Sequence, residues 1–174
     1  MPFQPVADFR GKTCCLTGHQ DIAPWEEQKV RTRLRYLLMP MLAEGIRYFG
    51  VGGARGFDRL AAEYLLDLRD RDKQYIRVIS VLPFPEYRDG WTEEEFRRQE
   101  EILRRSDKVT MVSPEYVRGA YLIRDRRLVD ESAYCISYCH RLTGGTAYTI
   151  RYAMKQGIPV YNTSSWDLRQ LQKK

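Results

Sequence analysis

Short apolar runs alternate with segments of helical period along most of this chain, and that alternation leaves few folds open. Lys12–Thr17, Ile46–Val51, Tyr75–Leu82, Lys108–Val112, Ala133–Tyr138 and Pro159–Tyr161 read as strands. Several are near-continuous apolar runs, as expected of strands buried on both faces. Between the first two, Val30, Leu34, Leu37, Leu38, Met41 and Leu42 recur at spacings of three and four in a helix opened by Pro24-Trp25. Pro40 falls inside that pattern and is expected to kink or break it. Leu60, Ala61, Tyr64, Leu65 and Leu68 stripe a second helix, Phe57–Leu68. Thr92 and Glu95 make a capping box for a third, expected to bury Phe96, Ile102 and Leu103. Tyr121–Glu131 and Gly145–Gln156 complete the set, and the last dozen residues read as a polar tail anchored by Trp166. The pattern predicts an α/β, Rossmann-like parallel sheet with helices on both faces. No linker, repeat or low-complexity tract divides the 174 residues, so a single domain spanning 1–174 is expected.

In such sheets ligands sit at the carboxyl ends of the strands, near a switch in strand order. Two strand-to-helix junctions here carry a glycine pair: Gly52-Gly53-Ala54-Arg55-Gly56 and Thr143-Gly144-Gly145-Thr146. Each is expected to present bare backbone N–H groups at a helix N-terminus, where free amides and the helix dipole favour a phosphate. The strand end Thr17-Gly18-His19 offers a hydroxyl, a close backbone approach and an imidazole. Asp58 is placed either to stabilise its helix as a first-turn acid or to accept from a ribose hydroxyl. Phe84, between two prolines, can stack on a base or pack as core. In the run Arg124-Asp125-Arg126-Arg127, Arg126 offers a bidentate phosphate contact, against an internal ion pair with Asp130 four residues on. Thr146 and Thr149 supply hydroxyls suited to phosphate oxygens. The expected ligand-binding set is therefore Thr17, Gly18, His19, Gly52, Gly53, Arg55, Asp58, Phe84, Arg126, Gly144, Gly145, Thr146 and Thr149.

The net charge of +6 suits an anionic partner, nucleic acid included. Acids and bases nevertheless alternate in Arg69-Asp70-Arg71-Asp72-Lys73 and across Glu93–Arg105, the pattern of solvated helix faces. No run of about 18 apolar residues occurs to span a membrane. The start, Met1-Pro2-Phe3-Gln4, lacks a basic region followed by an apolar core, so a cytoplasmic location is expected. Cys14, Cys15, Cys135 and Cys139 are expected to be buried free thiols, with Cys14 and Cys15 on opposite sheet faces. Their spacing does not build a metal site.

Thr17-Gly18-His19, Gly52-Gly53-Ala54-Arg55-Gly56-Phe57-Asp58 followed by Ala61-Ala62, Arg124-Asp125-Arg126-Arg127-Leu128-Val129-Asp130 and Gly144-Gly145-Thr146-Ala147-Tyr148-Thr149 occur in that order. Together they resemble the YpsA-like family of bacterial proteins within the SLOG superfamily, over nearly the whole chain. The resemblance implies a Rossmann-like fold and a pocket for a nucleotide or nucleotide-derived ligand such as ADP-ribose or NAD. Relatives include the LOG phosphoribohydrolases and the DNA-processing protein of natural transformation. The LOG pattern places an acid three residues after its threonine; here Thr149 stands there, which counts against LOG-type hydrolysis and its need for a carboxylate.

The leading expectation is a sensor or regulatory module that binds a nucleotide derivative, with no certain cofactor, no metal and no assigned catalytic residue. The alternatives are an enzyme cleaving the N-glycosidic or phosphate bond of a nucleotide, and a single-stranded DNA binder. A homodimer is open.

Overall fold

The computed structural model describes residues 9–72 and 75–173, so the opening Met1–Gln4 lies outside the described residues. Six strands, β1 (Thr13–Gly18), β2 (Tyr48–Val51), β3 (Arg77–Leu82), β4 (Lys108–Met111), β5 (Tyr134–Tyr138) and β6 (Val160–Asn162), form one sheet. Its order is β4-β3-β2-β1-β5-β6 and every pairing is parallel. The central strand β1 aligns Leu16 with Val51 on one side and with Ile136 on the other. Helices α1 (Glu27–Ala43), α2 (Phe57–Asp72), α3 (Glu93–Arg105), α4 (Ala120–Asp130) and α5 (Gly145–Lys155) connect them.

The α/β, Rossmann-like architecture follows from how the central strands are buried. Alternate residues of β1 enter separate cores: Cys14 and Leu16 join Val30, Leu34 and Leu38 of α1 and Leu65 of α2. Cys15 instead meets Leu128 and Val129 of α4 and Ala153 of α5 across the sheet. Helices thus cover both faces, and Phe49, Phe57, Leu34 and Leu65 are wholly buried. Each such side chain contributes roughly 1.5–3 kcal/mol relative to exposure. All four cysteines are free and buried, and burial pushes the Cys14 thiol well above its usual range.

Three local expectations change. α1 runs through Pro40 to Ala43. The carbonyl deprived of a helical partner belongs to Tyr36, whose residue is 80% exposed, so water can serve it. On α3 the capping box is present, with Thr92 accepting from the Glu95 N–H and Glu95 accepting from the Thr92 N–H. The buried pair is Gln99 and Ile102, however, while Phe96 stays exposed beneath the Arg88 guanidinium 4.1 Å from its ring centre. At the C-terminal end, a short 3-10 turn (Leu168–Gln172) buries Leu171, which packs with Cys139, Ala147 and Ile150, so Trp166 is not the sole anchor.

The chain walks outward from β1 to β4 and then returns to lay β5 on the other flank of β1. That reversal places a crevice at the carboxyl ends of β1 and β5.

Candidate functional site

The crevice is a hollow of about 350 Å³. From β1 come Thr17, Gly18 and His19; from the α2 side Ala54 and Asp58; from α4 Tyr121, Arg124 and Asp125; and from the turn before α5 Arg141, Gly144, Gly145 and Thr146. Seven of the residues expected from sequence are gathered here. A larger and more open groove of about 750 Å³ adjoins it, lined by Asp21, Glu26, Tyr138, His140 and Trp166 among others. The helix end in that groove is the α1 N-terminus, where Glu26 and the nearby Asp21 already place carboxylates against an anion, so the smaller hollow is the better anion site.

At the α5 end, sequence and geometry agree. Gly144 is the residue before the helix, at φ 96°, where a side chain would be strained, and no side chain caps the helix. The ladder opens with the Tyr148 N–H donating to the Gly144 carbonyl at 3.1 Å, so the amides of Gly145, Thr146 and Ala147 precede it. A Cβ added to Gly144 or Gly145 would meet nothing within 4 Å. The helix end therefore has room for an anion.

The other glycine junction differs from the expectation of a second bare cradle. The Asp58 carboxylate folds back on its own loop and accepts from the Ala54 N–H at 3.3 Å. The Phe57 N–H donates to the His19 carbonyl at 3.1 Å. An acid of the protein itself thus fills the position a phosphate would take. Gly52 is required by crowding: a Cβ there would lie 2.8 Å from Asp58 Oδ2 and 2.9 Å from Arg124 Nη1. Gly53 sits against Leu82, Gln99 and Tyr87, and neither glycine lines the hollow.

The remaining expected residues lie elsewhere. Arg55 turns to α3, where it pairs with Glu95 at 3.5 Å and stacks over Trp91. Phe84 is buried edge-on against Tyr116 and Tyr121, which leaves no open face for a base. Arg126 lines a separate shallow groove with Asp130 and Tyr152, and Asp130 accepts from the Tyr152 hydroxyl at 2.7 Å. Thr149 is buried behind Thr146; its hydroxyl lies 2.8 Å from the Gly145 carbonyl and 3.1 Å from Asp125 Oδ2.

Two α4 residues missed in sequence take Arg126's place. The Arg124 Nε donates to Asp125 at 2.6 Å and its Nη1 donates to the Gly52 carbonyl. Arg124 and Asp125 precede Leu128 and Val129 by one helical turn each, so they share the buried stripe while Arg126 faces out. That spacing was the available signal.

Electrostatics divides the acids and imidazoles. Burial pushes the Asp58 carboxyl up to about 6, against the pull of Arg124, with Asp125 adding to the rise. Burial, helped by Arg141 and His140, lowers His19 to about 4, so its ring is neutral near pH 7. His19 is 3% exposed, stacks edge-on against His140 at 4.7 Å, and its Nε2 has no hydrogen-bond partner. A buried polar atom in that condition at the wall of a hollow is expected to meet a ligand or water. Among the described residues no group of three or more His, Cys, Asp and Glu could hold a metal ion, and no helix is long and apolar enough to cross a membrane.

The model of the YspA SLOG family matches residues 22–166 of this sequence, most of its length. The chain belongs to that family. No curated protein matches it in sequence. Among solved structures, it is similar to DNA processing protein A (DprA) from Streptococcus pneumoniae, with a TM-score of 0.64 at 17% identity. The likeness covers 87% of this chain and 50% of that one. DNA processing protein A from Helicobacter pylori, described for its single-stranded DNA binding mode, gives a TM-score of 0.60 at 19% identity, over 87% and 64% of the two chains. The protein TM1055 gives 0.55 at 16%, over 86% and 72%. At these identities the likeness is one of fold, and the chain spans half to two-thirds of the DprA lengths.

Proposed function

We propose that this member of the YspA SLOG family binds a nucleotide or nucleotide-derived ligand of the ADP-ribose or NAD type in the β1–β5 hollow, as a sensor or regulatory module. The observation that carries this reading is the uncapped α5 N-terminus opening into the same hollow as the unpartnered Nε2 of buried His19. A phosphate takes the amides of Gly145 and Thr146, with the Thr146 hydroxyl beside it. A sugar hydroxyl donates to a carboxyl oxygen of Asp58, which lies in the same hollow and can accept in either protonation state. Calorimetric titration with ADP-ribose, NAD and AMP tests it: saturable binding that weakens about tenfold or more in Thr146→Glu, which puts a carboxylate at the helix end, is expected. No binding by any of the three up to millimolar concentration defeats the reading.

A second reading is hydrolysis of an N-glycosidic bond. It is supported by Asp125, whose carboxylate sits against Thr149 and so supplies from α4 the acid that α5 lacks. Asp58, with its raised pKa, is the complementary proton donor. This reading expects base release from a nucleotide that disappears in Asp58→Asn and in Asp125→Asn; bound nucleotide that stays intact rejects it. Salt-sensitive binding of single-stranded DNA, on the pattern of the Helicobacter protein's described mode, is the outcome that would replace both.

A further inference from the structure

Of the two arginines in the hollow, one is committed and one is exchangeable. Arg124 is 5% exposed and held by Asp125 and the Gly52 carbonyl; turning it to a ligand would strand both buried partners. Arg141, just ahead of Gly144-Gly145, lines the same hollow but points its Nη1 at Asp21, 3.0 and 2.9 Å from the two carboxylate oxygens. Its side chain is 43% exposed and that of Asp21 63%. An ion pair so exposed contributes little, because water serves either member when they part. Asp21 belongs to the neighbouring groove, where His140 Nε2 lies 3.8 Å away. Arg141 therefore stands on the partition between groove and hollow, and its charge reaches His19.

We propose that Arg141 is a phosphate ligand of the hollow held in reserve by Asp21, and that an arriving phosphate-bearing ligand takes the guanidinium over from that carboxylate. The proposal rests on the nucleotide reading of the hollow and deepens it. The bare α5 amides meet one side of the phosphate. The guanidinium meets the other with a paired, charge-assisted contact that no backbone group supplies. His19, whose buried Nε2 has no partner, lines the same hollow as both. Asp21 is then a competitor for the same guanidinium, so its removal strengthens binding.

The test is calorimetric titration of AMP into the full chain and three variants, each checked for an unchanged thermal melt. Arg141→Ala is expected to weaken AMP binding about tenfold. Asp21→Ala is expected to tighten it about two- to fivefold by freeing the guanidinium. The double variant is expected to bind as Arg141→Ala does, since with no guanidinium there is nothing to free. Asp21→Ala that leaves affinity unchanged or lowers it overturns the proposal. So does a double variant tighter than Arg141→Ala by the factor seen for Asp21→Ala alone, because the acid would then act only through its field. A wild-type chain that binds no phosphate ligand removes the nucleotide reading itself, whereas wild-type binding indifferent to both substitutions removes the Arg141 assignment alone.

Discussion

The Asp58 carboxylate accepts a hydrogen bond from the Ala54 N–H at 3.3 Å, inside the glycine loop that precedes its own helix. Burial nevertheless raises its pKa to about 6, above the usual 3.8. Ionised, it is an acid the fold tolerates at a cost.

That cost fixes a sign. Between about pH 4 and 6 the native chain holds a proton on Asp58 that the unfolded chain has lost, so this group's contribution to stability falls as pH rises through the window. Asp58→Asn keeps the shape and removes the titration. The variant is expected to be more stable than wild type by on the order of 2 kcal/mol at pH 7.5, with the difference vanishing near pH 4. His19 works in the opposite direction, destabilising as pH falls from about 6.5 toward 4. It does so equally in both proteins and cancels in the comparison. Urea melts at the two pH values decide; parallel curves would show that Asp58 does not titrate there.

Ligand affinity should follow the same group. An anion beside Asp58 favours its protonated form, and by reciprocity the protonated form favours the anion. ADP-ribose, whose diphosphate does not titrate near pH 6, is expected to bind several-fold more tightly at pH 5.5 than at 7.5. Asp58→Asn should bind it independently of pH. Equal wild-type affinity at both pH values would separate Asp58 from the ligand.

The two glycine junctions should respond differently to a single methyl. At Gly144 the added Cβ meets nothing, so Gly144→Ala suffers only from the positive φ, about 1 kcal/mol, and chiefly affects the α5 end. At Gly52 the methyl would press on Asp58 and Arg124, which are buried and hydrogen-bonded, so Gly52→Ala is expected to lose about 2 kcal/mol or more. Denaturant midpoints that rank the two in the reverse order would contradict this packing.

Phe84 provides a control. Its ring packs between Tyr116 and Tyr121. Phe84→Leu should lower stability by about 1 kcal/mol and leave AMP affinity within about twofold. A large affinity loss with unchanged stability would restore Phe84 to the ligand.

The fold was legible because helix and strand periods recur without interruption, and because β1 and β5 are apolar on both sides. Strand order was not, since nothing in residues 108–138 says that β5 must return past three strands to pair with β1. In the site, Gly144-Gly145-Thr146 and Thr17-Gly18-His19 were readable from local backbone needs. The Gly52-Gly53 junction misled because a glycine pair signals close approach without saying what approaches; here it is the carboxylate of Asp58 and the guanidinium of Arg124. Arg126 was singled out over Arg124 although its spacing to Asp130 offered an internal ion pair and the Leu128–Val129 stripe argued for the inward pair. Arg141 follows no periodic pattern, and only its placement opposite Asp21 reveals it.

The return of β5 to the flank of β1 has a last consequence for how this protein reports on itself. Gly18 and Gly145 line one hollow only once every intervening strand has been laid down, so neither half of the polypeptide holds the proposed site alone. Occupancy is then a checkpoint on completed assembly: a ligand at a hundredfold excess over its dissociation constant would shift the folding equilibrium by about 2.7 kcal/mol. On the nucleotide reading, stripping the ligand would remove that same increment of stability.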